Sequence, residues 1–243
     1  MPMNAALGDL PTTATHAHTG AWVASVLRSR IAEGRLVPGT KLSEQSLSAT
    51  LGVSRNTLRE AFTVLDGELI VTRIPNRGVF VASPGPDEIR EIYNVRRILE
   101  PAAALWGPGP DIAELRSVVA EARGALARGS VPDMAAANQR FHEALILGTG
   151  STGLLEMMSR VLAQMRLVFH AMSNAPDFHS HYVELNAELL ELLAAGQRAE
   201  AAERLRSYLD VAESELLAQF TGAAPAPARA SNRTPRIHSR RDC

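Results

Sequence analysis

The sequence predicts a mainly α protein of two unlike parts: a small N-terminal unit of three helices with one β-hairpin, then an all-α bundle of six helices. Three observations predict this. Helical periodicity fills most of the chain between residues 20 and 220, short β-branched runs flank Pro75-Asn76-Arg77-Gly78, and Ser83-Pro84-Gly85-Pro86 interrupts both patterns. Two prolines and a glycine continue neither a strand nor a helix. The expected organisation is therefore a disordered N-terminal segment (1–19), the first unit (20–83), a linker (84–86), the helical bundle (87–220) and a disordered basic tail (221–243).

Composition narrows the function classes. The 243 residues are 46% hydrophobic and 21% charged, the balance of a soluble globular protein. The chain has no apolar run of about 18 residues, and its start lacks the basic cluster and apolar stretch of a signal peptide. A cytoplasmic location without a membrane partner is expected. A single cysteine, Cys243, excludes a disulfide framework, a zinc ribbon and a redox pair. The net charge of -1 hides a segregation of sign: residues 1–19 carry -1, and residues 20–83 carry eight basic against five acidic side chains, or +3. Residues 84–220 carry twelve against nineteen, or -7, and residues 221–243 five against one, or +4. A basic segment joined to an acidic one suits a protein whose first part meets a polyanion and whose second part meets something else.

The elements of the first unit follow in order. Ala21 to Glu33 carries Val23, Val26, Leu27 and Ile31 at helical spacing and is closed by Gly34. Ser43 caps a short second helix through Leu51, Gly52 supplies a tight turn, and Ser54 caps a third helix to about Asp66. Two helices so joined form a helix-turn-helix. An advance of about 100° per residue puts Leu58, Ala61, Phe62 and Leu65 on one side of the third helix. The same advance puts Arg55, Asn56, Arg59 and Thr63 on another, as a stripe of donors suited to a major groove. Arginine donates twice to guanine, asparagine pairs with adenine, and a fitting bidentate contact discriminates by about 1–3 kcal/mol. The runs Leu69–Ile74 and Val79–Val81 then predict a hairpin wing, whose tip presents Asn76, Arg77 and the Gly78 backbone to a minor groove or to phosphates, with Arg73 beside it.

Three stretches together carry a family resemblance: Pro38-Gly39-Thr40-Lys41-Leu42-Ser43-Glu44, Leu51-Gly52-Val53-Ser54-Arg55-Asn56-Thr57-Leu58-Arg59-Glu60-Ala61, and Pro75-Asn76-Arg77-Gly78. This pattern resembles the winged helix-turn-helix of GntR-family transcriptional regulators. The resemblance implies that Arg55, Asn56, Thr57 and Arg59 contact an operator in double-stranded DNA, with Ser54 and Gly78 at phosphate or groove. Gln45 stands where relatives often carry arginine, keeping a donor but losing a charge.

In the second part, helical periodicity breaks at Gly107–Pro110, Gly129–Pro132, Gly148–Gly153, Ser173–Asp177 and Gly196, which gives the six helices. Their apolar stripes carry polar insertions. The first reads Ile89, Ile92, Arg96, Leu99, Ala103 and Trp106, so Arg96 occupies a core position and needs an anionic partner. The third reads Met134, Asn138, His142 and Leu145, the fifth Tyr182, Asn186, Leu189 and Leu193, and the sixth Ala201, Leu205, Tyr208 and Ala212. Inward polar groups from four helices predict a cavity for a small organic effector, with Arg96 pointing to a carboxylate. Arg166 and His170 fall on the fourth helix without a register that assigns them, and His179 and His181 straddle a loop-to-helix junction where solvent exposure is expected.

The motifs Tyr93, Arg96, Leu99 and Glu100, then Asn138 with Phe141-His142, resemble the FCD ligand-binding domain of the FadR branch, and six helices resemble its VanR-like subgroup. That resemblance implies a homodimer on a palindromic operator. It also implies a divalent metal held by an acid or amide and a histidine on one helical turn plus two later histidines. Asn138 and His142 keep the first half, whereas Asn186 and Tyr208 occupy the other two positions. A neutral amide and a phenol are poor substitutes for imidazole. The expectation is no cofactor, a weakly bound divalent metal at Asn138 and His142 being the disfavoured alternative, with Arg96, Asn138, His142, Asn186 and Tyr208 binding the effector directly. The expected function is a repressor whose operator affinity the effector changes, and two other classes stand beside it: a small metal-dependent hydrolase using His142 and Glu143, although Ile146 stands where a zinc-protease helix has its second histidine, and an architectural DNA-binding dimer that takes no ligand.

Overall fold

The computed structural model describes residues 19–32, 34–172 and 176–221. The two expected disordered ends lie almost wholly outside these residues, as does Glu33. The N-terminal unit runs α1 (Gly20–Ala32), β1 (Lys41–Leu42), α2 (Glu44–Leu51), α3 (Arg55–Gly67), β2 (Val71–Ile74) and β3 (Gly78–Val81). The bundle runs α4 (Pro86–Trp106), α5 (Ile112–Ala127), α6 (Val131–Leu147), α7 (Thr152–Ala171), α8 (Pro176–Ala194) and α9 (Arg198–Thr221). The fold is the mainly α, two-part architecture expected, with six helices in the second part among the described residues.

The turn chemistry is visible at α2 and α3. Ser43 Oγ accepts the Ser46 amide at 3.3 Å, Gly52 closes α2 at φ 66°, and Ser54 Oγ accepts the Thr57 amide at 3.1 Å. Each cap satisfies a backbone donor that a helix start leaves open. Glycine is favoured at position 52 because the left-handed region strains most residues that bear a Cβ.

The wing differs from the expected hairpin in two ways. Lys41–Leu42 adds a third strand, so the sheet has the order β1-β3-β2, all antiparallel, with Leu42 opposite Val79. β2 also begins at Val71 rather than Leu69: Leu69 sits at φ 59° and Ile70 donates back to Leu65 O at 3.0 Å, so these residues close α3 instead of opening a strand. At the tip, Arg77 donates to Ile74 O at 3.0 Å with Pro75 and Asn76 (φ 60°) between them. This is the turn in which proline presets the first central residue and asparagine tolerates the left-handed second.

Two cores form. Val23, Leu27, Leu47, Leu58, Phe62 and Ile70 fill the first, and Ala163 and Leu167 of α7 extend it into the bundle. Arg28 pairs with Glu68 at 2.7 Å, tying α1 to the end of α3, and Gln164 reaches the Glu68 carbonyl at 3.4 Å. The second core is the bundle interior, where α4 lies along α9 and Arg97 joins Asp210 at 2.7 Å and also Glu213. Pro86, expected in the linker, is the first residue of α4, a position where its missing N–H costs nothing. Trp106, expected on the buried stripe, is 79% exposed; Ala103 and Ala104 carry the buried face at the end of that helix.

Candidate functional site

Two polar surfaces stand out, one outside and one inside. On α3, Leu58, Ala61, Phe62 and Leu65 are all 0% exposed. That seals one face and leaves Arg55, Asn56, Arg59 and Thr63 to solvent. Arg59 is held across the helix-turn-helix by Glu44, with Nε to the carboxylate at 3.1 Å and Nη2 at 3.0 Å. Asn56 donates to Glu60 at 2.9 Å. Thr57 is half-buried with its hydroxyl 2.9 Å from Ser54 Oγ, so these two side chains complete the cap. Thr63 donates to Arg59 O at 2.9 Å and accepts from Arg73 at 2.7 Å, which anchors the wing strand to α3. Gln45 and the wing-tip residues Asn76, Arg77 and Gly78 are exposed. Lys41 was not singled out from the sequence, because β1 is too short to show a period. Pairing with β3 places its ammonium 5.9 Å from the Phe80 ring centre, with the Arg77 guanidinium 5.7 Å from the same ring.

Inside the bundle, the five residues expected around a cavity meet in one network. Arg96 and Glu100 pair at 2.6 Å with 2% and 0% of their side chains exposed. The other Glu100 oxygen lies 2.7 Å from His142 Nδ1, and His142 Nε2 lies 3.0 Å from the Tyr208 hydroxyl. Tyr208 donates to Asn138 Oδ1 at 2.9 Å, and Asn186 Nδ2 donates to the same oxygen at 2.7 Å. The anion required by Arg96 is thus supplied by this chain, one helical turn away. The sequence showed Glu100 only as part of a motif; its position four residues after a core arginine was the available signal.

Burial sets the proton states. It works against the Glu100 charge, but Arg96 and His142 overcome it and hold the carboxyl down at about 2. Burial lowers the His142 pKa, with Glu100 opposing. It pushes Tyr93 up to about 12 and Tyr208 well above the phenol range. A neutral His142 donating from Nδ1 to Glu100 leaves Nε2 an acceptor, so the single Tyr208 proton serves either Nε2 or Asn138 Oδ1. Two buried atoms of this network have no hydrogen-bond partner among the described residues: Arg96 Nη2 and Asn186 Oδ1.

This donor set does not suit a divalent transition metal. It offers one imidazole whose two nitrogens face Glu100 and Tyr208, two neutral amides, and a phenol that burial keeps protonated. Among the described residues no three His, Cys, Asp or Glu side chains cluster in a way that could hold a metal ion. His142 faces the interior at 1% exposure while Glu143 is exposed, so the pair does not share a hydrolytic site. His179 corrects another expectation: it is 4% exposed, with its ring 5.5 Å from Phe169 and 5.1 Å from Phe178. Aromatic neighbours on α7 and α8 enclose it. Among the described residues no helix is long and apolar enough to cross a membrane.

Comparison with known proteins gives the same two-part division. Residues 20–81 match the family of bacterial regulatory proteins named gntR, and residues 91–211 match the FCD domain. An HTH-type transcriptional regulator encoded in the TAR-I ttuE-ttuC' intergenic region of Agrobacterium vitis is 33% identical over 127 residues, covering 49% of this chain and 74% of that protein. The gluconate operon transcriptional repressor of Bacillus licheniformis is 43% identical over 86 residues, 35% of each chain. The crystal structure of a GntR transcriptional regulator from Rhodococcus sp. RHA1 is 37% identical and superposes with a TM-score of 0.77 over 82% of this chain and 97% of that one. The chain belongs to the GntR family of bacterial transcriptional regulators and carries an FCD domain behind its winged helix.

Proposed function

We propose that the protein is a homodimeric repressor that acts in the cytoplasm on a palindromic operator and changes its DNA affinity when a small organic anion enters the helical bundle. The observation that carries the DNA half is the sidedness of α3, whose apolar face is sealed while Arg55, Asn56 and Arg59 remain exposed. In this reading these three read base edges in the major groove, Ser54, Thr57, Thr63 and Gln45 position the helix, and Asn76, Arg77 and Gly78 engage the wing-side groove or phosphates. A two-fold dimer sets two such helices about one DNA turn, roughly 34 Å, apart. Exposed Ile98 and Trp106 on α4 supply apolar surface for self-association. The gluconate operon repressor and the Escherichia coli repressor GlaR, 27% identical over 199 residues, favour repression as the sign.

The effector half rests on the unpartnered Arg96 Nη2 and Asn186 Oδ1. One is a cationic donor and the other an acceptor, so they select an anion that also carries a donor, bound directly among Arg96, Asn138, His142, Asn186 and Tyr208 without a metal. The experiment measures operator affinity and the melting shift with citrate and malate, anions that carry a hydroxyl donor, for the wild type, Arg55→Ala and Asn186→Leu. Arg55→Ala should lose operator affinity and keep the melting shifts; Asn186→Leu should do the reverse. Loss of both properties together in either variant would refute the division of labour.

A further inference from the structure

A cavity of about 290 Å³ lies at the seam between the two units, apart from the buried network. Ile31 and Gly34, at the end of α1, form its N-terminal wall, and Val131 of α6 and Phe169 of α7 face them from the bundle. Water takes about 30 Å³ per molecule in the liquid, so the space admits roughly ten non-hydrogen atoms.

The polar lining has a definite character. Gln139 is 2% exposed; its Nε2 donates to the Leu162 carbonyl at 3.2 Å, which fixes the amide and leaves Oε1 buried without a partner. His179 donates to the backbone carbonyl of Met172, and its Nε2 is likewise buried without a partner. Burial lowers the pKa of this ring, and a neutral imidazole whose other nitrogen donates to a carbonyl presents Nε2 as an acceptor. Arg166, half-buried in the same lining, supplies the cation; burial lowers its pKa and Glu143 opposes that. Two orphaned acceptors and one arginine, with the exposed His170 at the solvent side, therefore line a space whose remaining side chains are apolar. Buried polar atoms without partners carry a desolvation cost that a ligand's donors relieve.

We propose that this seam is a second small-molecule site, which takes a small organic anion bearing two hydroxyl or amine donors: the anion on Arg166, the donors on Gln139 Oε1 and His179 Nε2, and the carbon frame against Phe169 and Val131. Because Ile31 and Gly34 belong to the DNA-binding unit and the other groups to the bundle, a ligand here touches both units and biases their relative placement. That consequence rests on the DNA-binding reading above; the binding itself does not.

The test is calorimetry on the full chain with three probes: the dihydroxybenzoate with both hydroxyls meta to the carboxylate, benzoate, and resorcinol. The proposal expects one dihydroxybenzoate per chain, bound about tenfold or more tighter than benzoate, which lacks the donors, or resorcinol, which lacks the charge. Arg166→Met and His179→Phe should each weaken binding at the seam by about tenfold, while Asn186→Leu removes only what binds at the buried network and keeps the equivalent at the seam. Arg166→Met alters a half-buried side chain, so it stands as the folded control if the melting curve of His179→Phe shows unfolding. The proposal is overturned if no probe binds at millimolar concentration, if Arg166→Met binds like the wild type, or if Asn186→Leu abolishes binding while the seam variants retain it.

Discussion

Two arginine–glutamate pairs of the same chemistry occupy opposite extremes of this molecule. Arg59 and Glu44 meet at 3.0 Å with 61% and 33% of their side chains exposed, whereas Arg96 and Glu100 meet at 2.6 Å with 2% and 0% exposed. The exposed pair is solvated before and after it opens, so it contributes little to stability, and on the proposed function its guanidinium exchanges Glu44 for DNA. The buried pair has lost its water, and neither member can be left alone at small cost. In the proposed reading, the DNA-facing surface thus keeps its cations in exchangeable contacts, and the effector-binding interior locks its ions to one another and leaves only single atoms open.

The largest effect that would break this comparison lies at Glu100. Glu100→Gln leaves Arg96 charged and buried without its anion, and should cost about 3–5 kcal/mol in urea unfolding. Glu44→Gln should leave the unfolding midpoint where it was; equal losses in the two variants would erase the distinction. Next comes acid. The Glu100 carboxyl is held at about 2 in the fold against an ordinary 4.5. Its contribution is therefore complete above 4.5 and is lost as pH falls from there toward 2. His142, whose folded pKa is lowered from 6.5, adds a loss that begins as pH falls below that value. Stability should decline continuously from neutral pH into acid, and Glu100→Gln should lack the lower part of that decline. A pH-independent midpoint over this range would contradict the proton states assigned here.

Smaller effects sharpen the outer half. Arg59→Ala should weaken operator binding by about tenfold or more and relax preference at one base position, without moving the unfolding midpoint. Smallest are the wing cations: Lys41→Gln or Arg77→Gln should weaken all duplexes alike and reduce the slope of log affinity against log salt by about one. A sequence-selective loss at either position would mean that the wing reads bases.

The elements were legible where a local signal fixes them. Ser43, Gly52 and Ser54 announce the helix-turn-helix because each caps or turns by its own residue chemistry, and the five breaks in the second part, each holding a glycine or a proline, separate its helices. The period-of-3.6 stripe also identified the polar core residues, because Arg96, Asn138, His142, Asn186 and Tyr208 stand where apolar residues belong. What the stripe does not show is which partner each one finds: Glu100 answers Arg96 from its own helix, and only packing brings Asn138 of α6 to Asn186 of α8 and Tyr208 of α9. β1 was missed because two residues have no period, and the position of His179 because its burial depends on Phe169 from the preceding helix.

The division between an exchangeable outer face and a locked interior is tested most directly by selecting binding sites from random duplex DNA with the wild type and with Arg55→Ala. The account predicts that the wild type selects a two-fold symmetric site and that the variant selects the same spacing with preference lost at a symmetric pair of positions. Recovery of an unchanged site at unchanged affinity by Arg55→Ala would contradict it.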